Sequence, residues 1–233
     1  GYCRAFMNVR LNGAAVIAAL FIFLAGAALF VCFDKGIGVT ARRRDVCIKY
    51  NGKYRLLVVS VLGGVLALLC VWYYRGQLAA ALTSVFFLGF LTVVSLRDFD
   101  TMEIPNQCPA LIFALAAVSC FTMPQTSMTS RFIGIVCVSA PMLFACLLMD
   151  GAFGGGDIKL MASGGAFLGC RLTVLAMVIA VLLAGVYILY LVIVKKRGRR
   201  TRFAFAPFLC AGMAISMFAG EALIEGYLAF FSA

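Results

Sequence analysis

The sequence contains no histidine and few charged residues of any kind. The absence of histidine excludes Ser-His and Cys-His catalytic pairs and zinc proteases of the HExxH type. The ten cysteines include no CxxC pair and lie mostly in apolar runs, so they predict small buried side chains and no metal site. Charged residues make up 12% of the chain against 64% hydrophobic residues, which leaves too little polar surface for a water-soluble globule.

Long apolar runs predict a membrane protein. A bilayer core requires about 20 apolar residues per helix. The runs that meet this length, or come near it, lie at 11–33, 56–74, 78–96, 107–123, 131–149, 157–170, 172–194 and 203–220. We therefore expect an all-α fold: a polytopic transmembrane helical bundle of about eight spans, forming one domain over 1–233. The first run is too long for a cleaved signal peptide and predicts a signal anchor; the sixth is short, as in a tilted or partly re-entrant helix.

Basic residues are concentrated in two of the segments between spans. The formal net charge is +11, but 13 of the 20 Lys and Arg lie in 34–55 and 195–202. This distribution is typical of cytoplasmic loops in contact with lipid headgroups and argues against a nucleic-acid groove. If 34–55 is cytoplasmic, counting crossings also brings 97–106 and 150–159 to the cytoplasmic face. We expect a multi-pass protein of the cytoplasmic (inner) membrane with these segments on one side.

Two of the nine acidic residues stand at predicted helix ends on that face. Asp157 follows three glycines where an apolar span begins, and Asp98 lies near the end of span three. Glycine permits close approach of another chain, and an acid beside an apolar span is costly unless it has a role. Pro105 suits the first turn of span four. A plain interhelical hinge ending in an acid is the structural alternative at Asp157.

If the two carboxyls meet, the chemistry they favour is hydrolysis by an aspartyl dyad. Neighbouring like charges in a partly dry site share a proton, so that one carboxyl acts as base and the other as acid. The chief alternative is an ion- or proton-coupled transporter, because membrane acids and glycine-broken helices also form transport sites. Such sites usually lie near the bilayer midplane, whereas these acids lie at a boundary.

Three motifs in order resemble those of the type IV prepilin peptidases and preflagellin peptidases, membrane aspartyl proteases of the GxGD class. They are Asp98 followed by Ile-Pro-Asn at 104–106, GGGDIKL at 154–160, and FAPFL at 205–209. The resemblance covers roughly 80–220 and implies a peptidase core at about 78–220. Presenilin-like and signal-peptide-peptidase-like proteases share the Gly-x-Gly-Asp element, but they place a tyrosine before the first aspartate, where this chain has Arg97.

The resemblance implies particular roles for these residues. Asp98 and Asp157 match the catalytic pair, and Gly154 and Gly156 match the loop that presents Asp157. The positions expected to bind substrate or shape the loop are Lys159, Pro105, Asn106 and Pro207. The implied substrates are prepilin-like proteins of type IV pili or secretion systems, which carry a short basic leader before an apolar helix. The resemblance implies no cofactor.

One departure from the family concerns the first basic loop. Longer members carry four cysteines there, often binding zinc, and also methylate the new N-terminus with S-adenosylmethionine. Here the 22-residue segment 34–55 contains only Cys47. We therefore expect a short form with peptidase activity, without methyltransferase activity and without zinc.

Overall fold

The computed structural model describes residues 19–32, 52–149, 153–194 and 203–232. These residues form helices joined by short turns, and none of them forms a β-strand, which confirms the all-α prediction. The helices are α1 Ala19–Cys32, α2 Gly52–Tyr73, α3 Leu78–Thr101, α4 Gln107–Thr122, α5 Met128–Cys137, α6 Ser139–Leu148, α7 Gly155–Leu168, α8 Cys170–Ile193 and α9 Ala206–Ser232. Most of the basic segment 34–55 and all of 195–202 lie outside the described residues.

Several helices are suited to a bilayer, but the predicted count of about eight spans is not confirmed. Four segments are long and apolar enough to cross: Leu78–Thr101, Met128–Leu148, Cys170–Ile193 and Ala206–Phe231. Ala19–Cys32, Leu57–Tyr73 and Gln107–Thr122 are apolar but shorter. Helix α7, predicted as the sixth span, has 14 residues. The described part of the chain therefore indicates a multi-pass membrane protein.

Some predicted boundaries were wrong. Helix α3 continues to Thr101 instead of ending at 96, and α9 continues to Ser232 instead of ending at 220. The span predicted at 131–149 is present as the candidate span Met128–Leu148, but it is not one continuous helix: α5 and α6 are separated at Val138. Pro141 explains the interruption, because proline has no N–H to donate to the carbonyl four residues earlier and its ring crowds that carbonyl.

Helices α3 and α7 form the centre of the bundle. In the most apolar stretch of α3, 67% of the residues are buried inside the protein. In that of α8 only 17% are buried, so α8 has a surface available to lipid. Most side chains of α7 are buried, and it packs against α4, α5, α6, α8 and α9. Phe87 of α3 stacks on Phe167 of α7, with ring centroids 4.0 Å apart. The two helices that supply Asp98 and Asp157 are thus fixed by the core.

Glycines let α5 and α7 touch through their backbones. A Cβ atom on Gly165 would overlap the carbonyl of Gly134, and a Cβ on Gly134 would overlap the carbonyl of Gly165. Small residues permit such close crossings of helices in membranes. The crossing lies near the C-terminal end of α7.

Arg131 of α5 binds that end of α7. Its side chain is buried, and one terminal nitrogen donates to the Ala166 and Phe167 carbonyls at 3.2 and 3.1 Å. The other terminal nitrogen donates to the Ser119 carbonyl of α4 at 3.2 Å and to the carbonyl of Met123, which follows α4, at 3.1 Å. The last carbonyls of a helix have no partner within it and carry partial negative charge. A single guanidinium thus serves the ends of two helices.

Candidate active site

The end of α3 and the beginning of α7 meet at a cavity of about 350 Å³. Both predicted carboxyls line it. The lining residues are Asp98, Met102, Glu103, Ile104, Asn106, Gly154, Gly155, Gly156 and Asp157. Six of the eight residues singled out from the sequence lie in or beside this cavity, including Lys159, which contacts its wall.

Asp98 lies in the last turn of α3 and is only 5% exposed. Its Oδ2 accepts a hydrogen bond from the Ala206 backbone N–H at 2.9 Å. Ala206 is the first residue of α9, so its N–H is one of the donors that a helix start leaves without an intrahelical acceptor. The positive end of the α9 dipole therefore faces the Asp98 carboxylate.

Asp157 occupies the third position of α7 and is 8% exposed. Gly154 caps the helix, and its carbonyl accepts the Asp157 N–H at 3.0 Å. Burial, and then the negative charge of Asp98, raise the pKa of the Asp157 carboxyl to about 6, against a partial offset from a Gly154 backbone hydrogen bond. The two carboxyls are thus close enough for one to influence the protonation of the other.

The three glycines before Asp157 are not equivalent. A Cβ on Gly156 would lie 2.8 Å from the Ile104 Cβ, so that α7 approaches the 103–105 segment more closely than any side chain permits. A Cβ on Gly154 would lie 3.1 Å from Oδ2 of Asp157. A Cβ on Gly155 would meet nothing within 4 Å, because that residue faces open space. Gly154 and Gly156 shape the cavity, and Gly155 leaves one side of it open.

Lys159 and Asn106 contact each other across the cavity wall. The Lys159 Nζ donates to the Asn106 Oδ1 at 2.9 Å, joining α7 to the residue that precedes α4. The pair fixes the segment between α3 and α4 against the start of α7.

Neither predicted proline lines the cavity. Pro105 precedes α4, which begins at Gln107, so its expected place in the first turn of that helix was wrong. Its carbonyl accepts the Cys108 N–H at 3.0 Å, and it leads into the turn. Pro207 is the second residue of α9, directly after the amide that binds Asp98. Proline is suited to a helix start, because the missing N–H has no intrahelical acceptor there.

The structure adds three contributors that sequence reasoning missed. The Ala206 donor belongs to the backbone, and only the FAPFL motif pointed to its neighbourhood. Met102 and Glu103, both exposed, line the cavity. Met102 has a backbone φ of 52°, in the left-handed region that residues other than glycine rarely adopt.

The arrangement is suited to moving protons between two carboxyls and a water molecule. A carboxyl that keeps its proton near pH 6 can donate it, and a neighbouring carboxylate can accept one. Within the described ranges, no three His, Cys, Asp or Glu side chains lie together as a candidate metal-binding group.

Comparison with known proteins shows similarity to one family. The chain is 28% identical over 148 residues to a prepilin leader peptidase/N-methyltransferase of Bacillus subtilis, covering 62% of this chain and 58% of that one. It is 26% identical over 182 residues to a prepilin leader peptidase/N-methyltransferase of Legionella pneumophila, covering 74% and 61%. The matches thus span about three fifths of these relatives.

No solved structure matches the chain. Residues 85–189, which include both cavity carboxyls, match the type IV leader peptidase family. Over this region, and in its similarity to the two relatives, the chain resembles the type IV leader peptidase family.

Proposed function

We propose that the protein is a membrane-embedded aspartyl endopeptidase that removes the short basic leader of prepilin-like proteins. Asp98 and Asp157 activate the attacking water, and cleavage takes place at the cytoplasmic boundary of the inner membrane. One observation carries the proposal: two buried carboxyls from α3 and α7 line one open cavity. Similarity to the type IV leader peptidase family over residues 85–189 supports the peptidase class, and a core of about 78–220 would contain both carboxyls.

In this proposal each carboxyl has a role that follows from its surroundings. Asp157, with its raised pKa, holds the shared proton, and Asp98, bound by the Ala206 amide, is the carboxylate. Asp98 takes a proton from water as the water oxygen bonds to the scissile carbonyl carbon, and the carbonyl oxygen takes the Asp157 proton. The resulting gem-diol then breaks its C–N bond. Asp98 gives its proton to the leaving nitrogen, and one hydroxyl of the gem-diol returns a proton to Asp157.

Several neighbouring groups support this chemistry by holding the carboxyls in place. Gly154 leaves room for the Asp157 side chain, and Gly156 lets α7 pack closely on Ile104. The open side at Gly155 suits an extended peptide that approaches backbone to backbone. Lys159, Asn106, Pro105 and Pro207 act as supports of the cavity wall in this proposal.

The test is cleavage of a purified prepilin by the purified protein in detergent, with wild type, Asp98→Asn and Asp157→Asn compared separately. Each substitution should lower kcat/KM by about 10³-fold or more, because removing either carboxyl removes the acid or the base. Asp100→Asn is the matched control, since Asp100 lies in the same turn of α3 but does not line the cavity, and it should retain activity.

Full cleavage by either single variant contradicts the dyad. A folded wild-type protein that cleaves no prepilin contradicts the peptidase proposal and favours the alternatives, a coupled transporter or a presenilin-like protease. Unfolding temperatures of all four proteins exclude misfolding as the cause of lost activity.

We also propose that the protein lacks methyltransferase activity, because segment 34–55 contains a single cysteine instead of four. Transfer of a labelled methyl group from S-adenosylmethionine to the cleaved pilin, or zinc bound in stoichiometric amount, contradicts this part of the proposal.

A further inference from the structure

We propose that Glu103 is a specificity residue that binds a cationic side chain of the substrate next to the scissile bond. The inference rests on the proposed peptidase function and adds a residue to it. It differs from the dyad in kind, because Glu103 recognises the substrate and does not transfer a proton.

The turn after α3 holds Glu103 at the cavity. Met102 ends α3 with φ 52° and ψ 28°, and it is the only residue other than glycine with a positive φ in the described ranges. That backbone conformation is costly for a residue with a side chain, and it persists only where neighbouring contacts fix it. It reverses the chain so that the next residues form part of the cavity wall.

Thr101 supplies the contacts that fix this turn. Its hydroxyl oxygen accepts the Glu103 N–H at 3.3 Å, and the hydroxyl lies 3.0 Å from the Arg97 carbonyl, to which it donates. The Met102 N–H also donates to the Asp98 carbonyl at 2.9 Å. The turn is therefore joined to the last turn of α3, which carries Asp98. A group bound at Glu103 is consequently held in a set position relative to the dyad.

The charge around the cavity favours a cationic ligand. Three acidic side chains line it, Asp98, Asp157 and Glu103, and among the residues that the structure describes no basic side chain does. Lys159 is next to the wall, but its ammonium group donates to Asn106. Glu103 is exposed, and within the part of the chain that the structure describes its carboxylate forms no ion pair. Its carboxylate is therefore accessible to a Lys or Arg of a bound peptide.

Asp100 provides the contrast that makes the inference testable. It is an acid only three residues away, but it does not line the cavity. A general attraction of basic peptides to an acidic surface would depend on both acids, whereas a specific contact depends on Glu103 alone. Exposed ion pairs are weak, so a change of about two- to fivefold in KM is the expected size of the effect.

The experiment measures kcat and KM for the purified full chain in detergent with three prepilin substrates. Their leaders carry the native basic residues, glutamines in their place, or glutamates in their place. For the basic substrate, Glu103→Gln should raise KM about two- to fivefold with a smaller effect on kcat, and Asp100→Asn should not. For the glutamine substrate, Glu103→Gln and wild type should have the same KM. Glu103→Lys should cleave the glutamate substrate better than wild type does.

Three results overturn the inference while leaving the peptidase intact, and the second and third are alternatives of the same kind. The first is an equal KM of wild type and Glu103→Gln for the basic substrate. The second is a KM increase of the same size for basic and glutamine substrates, and the third is an equal increase in Asp100→Asn. If wild type cleaves none of the three substrates, the proposed function itself fails. Because Glu103 is exposed, unchanged unfolding temperatures should accompany each substitution.

Discussion

The two ends of α7 each meet a buried ionisable side chain, and the surroundings of those side chains differ. At the C-terminal end, the Arg131 guanidinium is surrounded by backbone carbonyls that accept its protons. At the N-terminal end, Asp157 faces a second carboxyl across an open cavity. A buried charge with all its partners supplied by the fold stabilises the protein. A buried carboxyl that faces another carboxyl and an opening is costly to the fold and is available for chemistry.

The largest expected effect is the loss of stability when Arg131 is removed. Arg131→Met removes the guanidinium donor from the carbonyls of Ala166, Phe167 and Met123, at about 1–3 kcal/mol each, so we expect a total loss of about 3–4 kcal/mol. Equilibrium unfolding in detergent measures it. Arg75→Met is the matched control, because Arg75 is exposed and its guanidinium lies over the Trp72 ring, 5.2 Å from the ring centroid. Equal stabilities of the two variants would remove the contrast between the ends of α7.

Substitution of Asp157 is expected to raise the stability, in contrast to the loss expected for Arg131. Its pKa is 3.8 ordinarily and about 6 in the fold, so the folded state binds this proton more tightly than the unfolded state does. The stabilisation is full below pH 3.8 and is lost as the pH rises through 6. Asp157→Asn, which cannot ionise, should therefore be more stable than wild type at pH 8, by at most about 3 kcal/mol.

Unfolding at pH 4 and at pH 8 provides the measurement, with the difference between Asp157→Asn and wild type shrinking at the lower pH. A difference that is the same at both pH values would contradict the raised pKa. Peptidase activity should fall above about pH 6, as Asp157 loses the proton that it donates to the carbonyl oxygen.

A smaller difference in stability is expected between alanine substitutions of two adjacent glycines at the N-terminal end of α7. Gly156→Ala places a methyl group against Ile104 and should cost about 1–3 kcal/mol of stability, with reduced peptidase activity. Gly155→Ala meets nothing within 4 Å and should be neutral or stabilising by about 0.5–1 kcal/mol. Thermal unfolding and leader cleavage of both variants test this, and identical behaviour would show that the Ile104 contact is unimportant.

The smallest effect concerns Lys159. Lys159→Met removes one hydrogen bond, at an exposed position, and should lower stability by about 0.5–1.5 kcal/mol. Asn106→Ala should have a similar effect, and the double variant should cost little more than either single one, because both remove the same contact. Fully additive losses would indicate that the two side chains act independently.

Much of the N-terminal end of α7 could be predicted from the sequence. Apolar runs predict the helices, and counting membrane crossings from the basic segments predicts that both acidic segments lie on the same side. In the structure Asp98 and Asp157 line the same cavity. The break between α5 and α6 has a signal in the sequence, Pro141, within an otherwise continuous apolar run. The acids were recognisable because a carboxyl beside an apolar run is rare, whatever its partner.

The contacts at the C-terminal end of α7 could not be predicted in the same way. In the sequence, Arg131 is only the first residue of a predicted span. Its role at the helix ends has no sequence signal, because its acceptors are backbone carbonyls, which every residue has. The Ala206 amide and the left-handed Met102 have no side-chain signature for the same reason. These contacts depend on where helices end in space, and single-sequence patterns do not give that.

The glycine crossing of α5 and α7 acts mechanically as a pivot. Gly165 is eight residues from Asp157, a lever of about 12 Å at 1.5 Å per residue. A change of about 5° in the crossing angle would then move the carboxyl by about 1 Å, and misplacement on that scale can cost about 10²-fold in rate. The alignment of the two acids is therefore set in part by a backbone contact more than two helical turns away, where a single methyl group would act as a wedge.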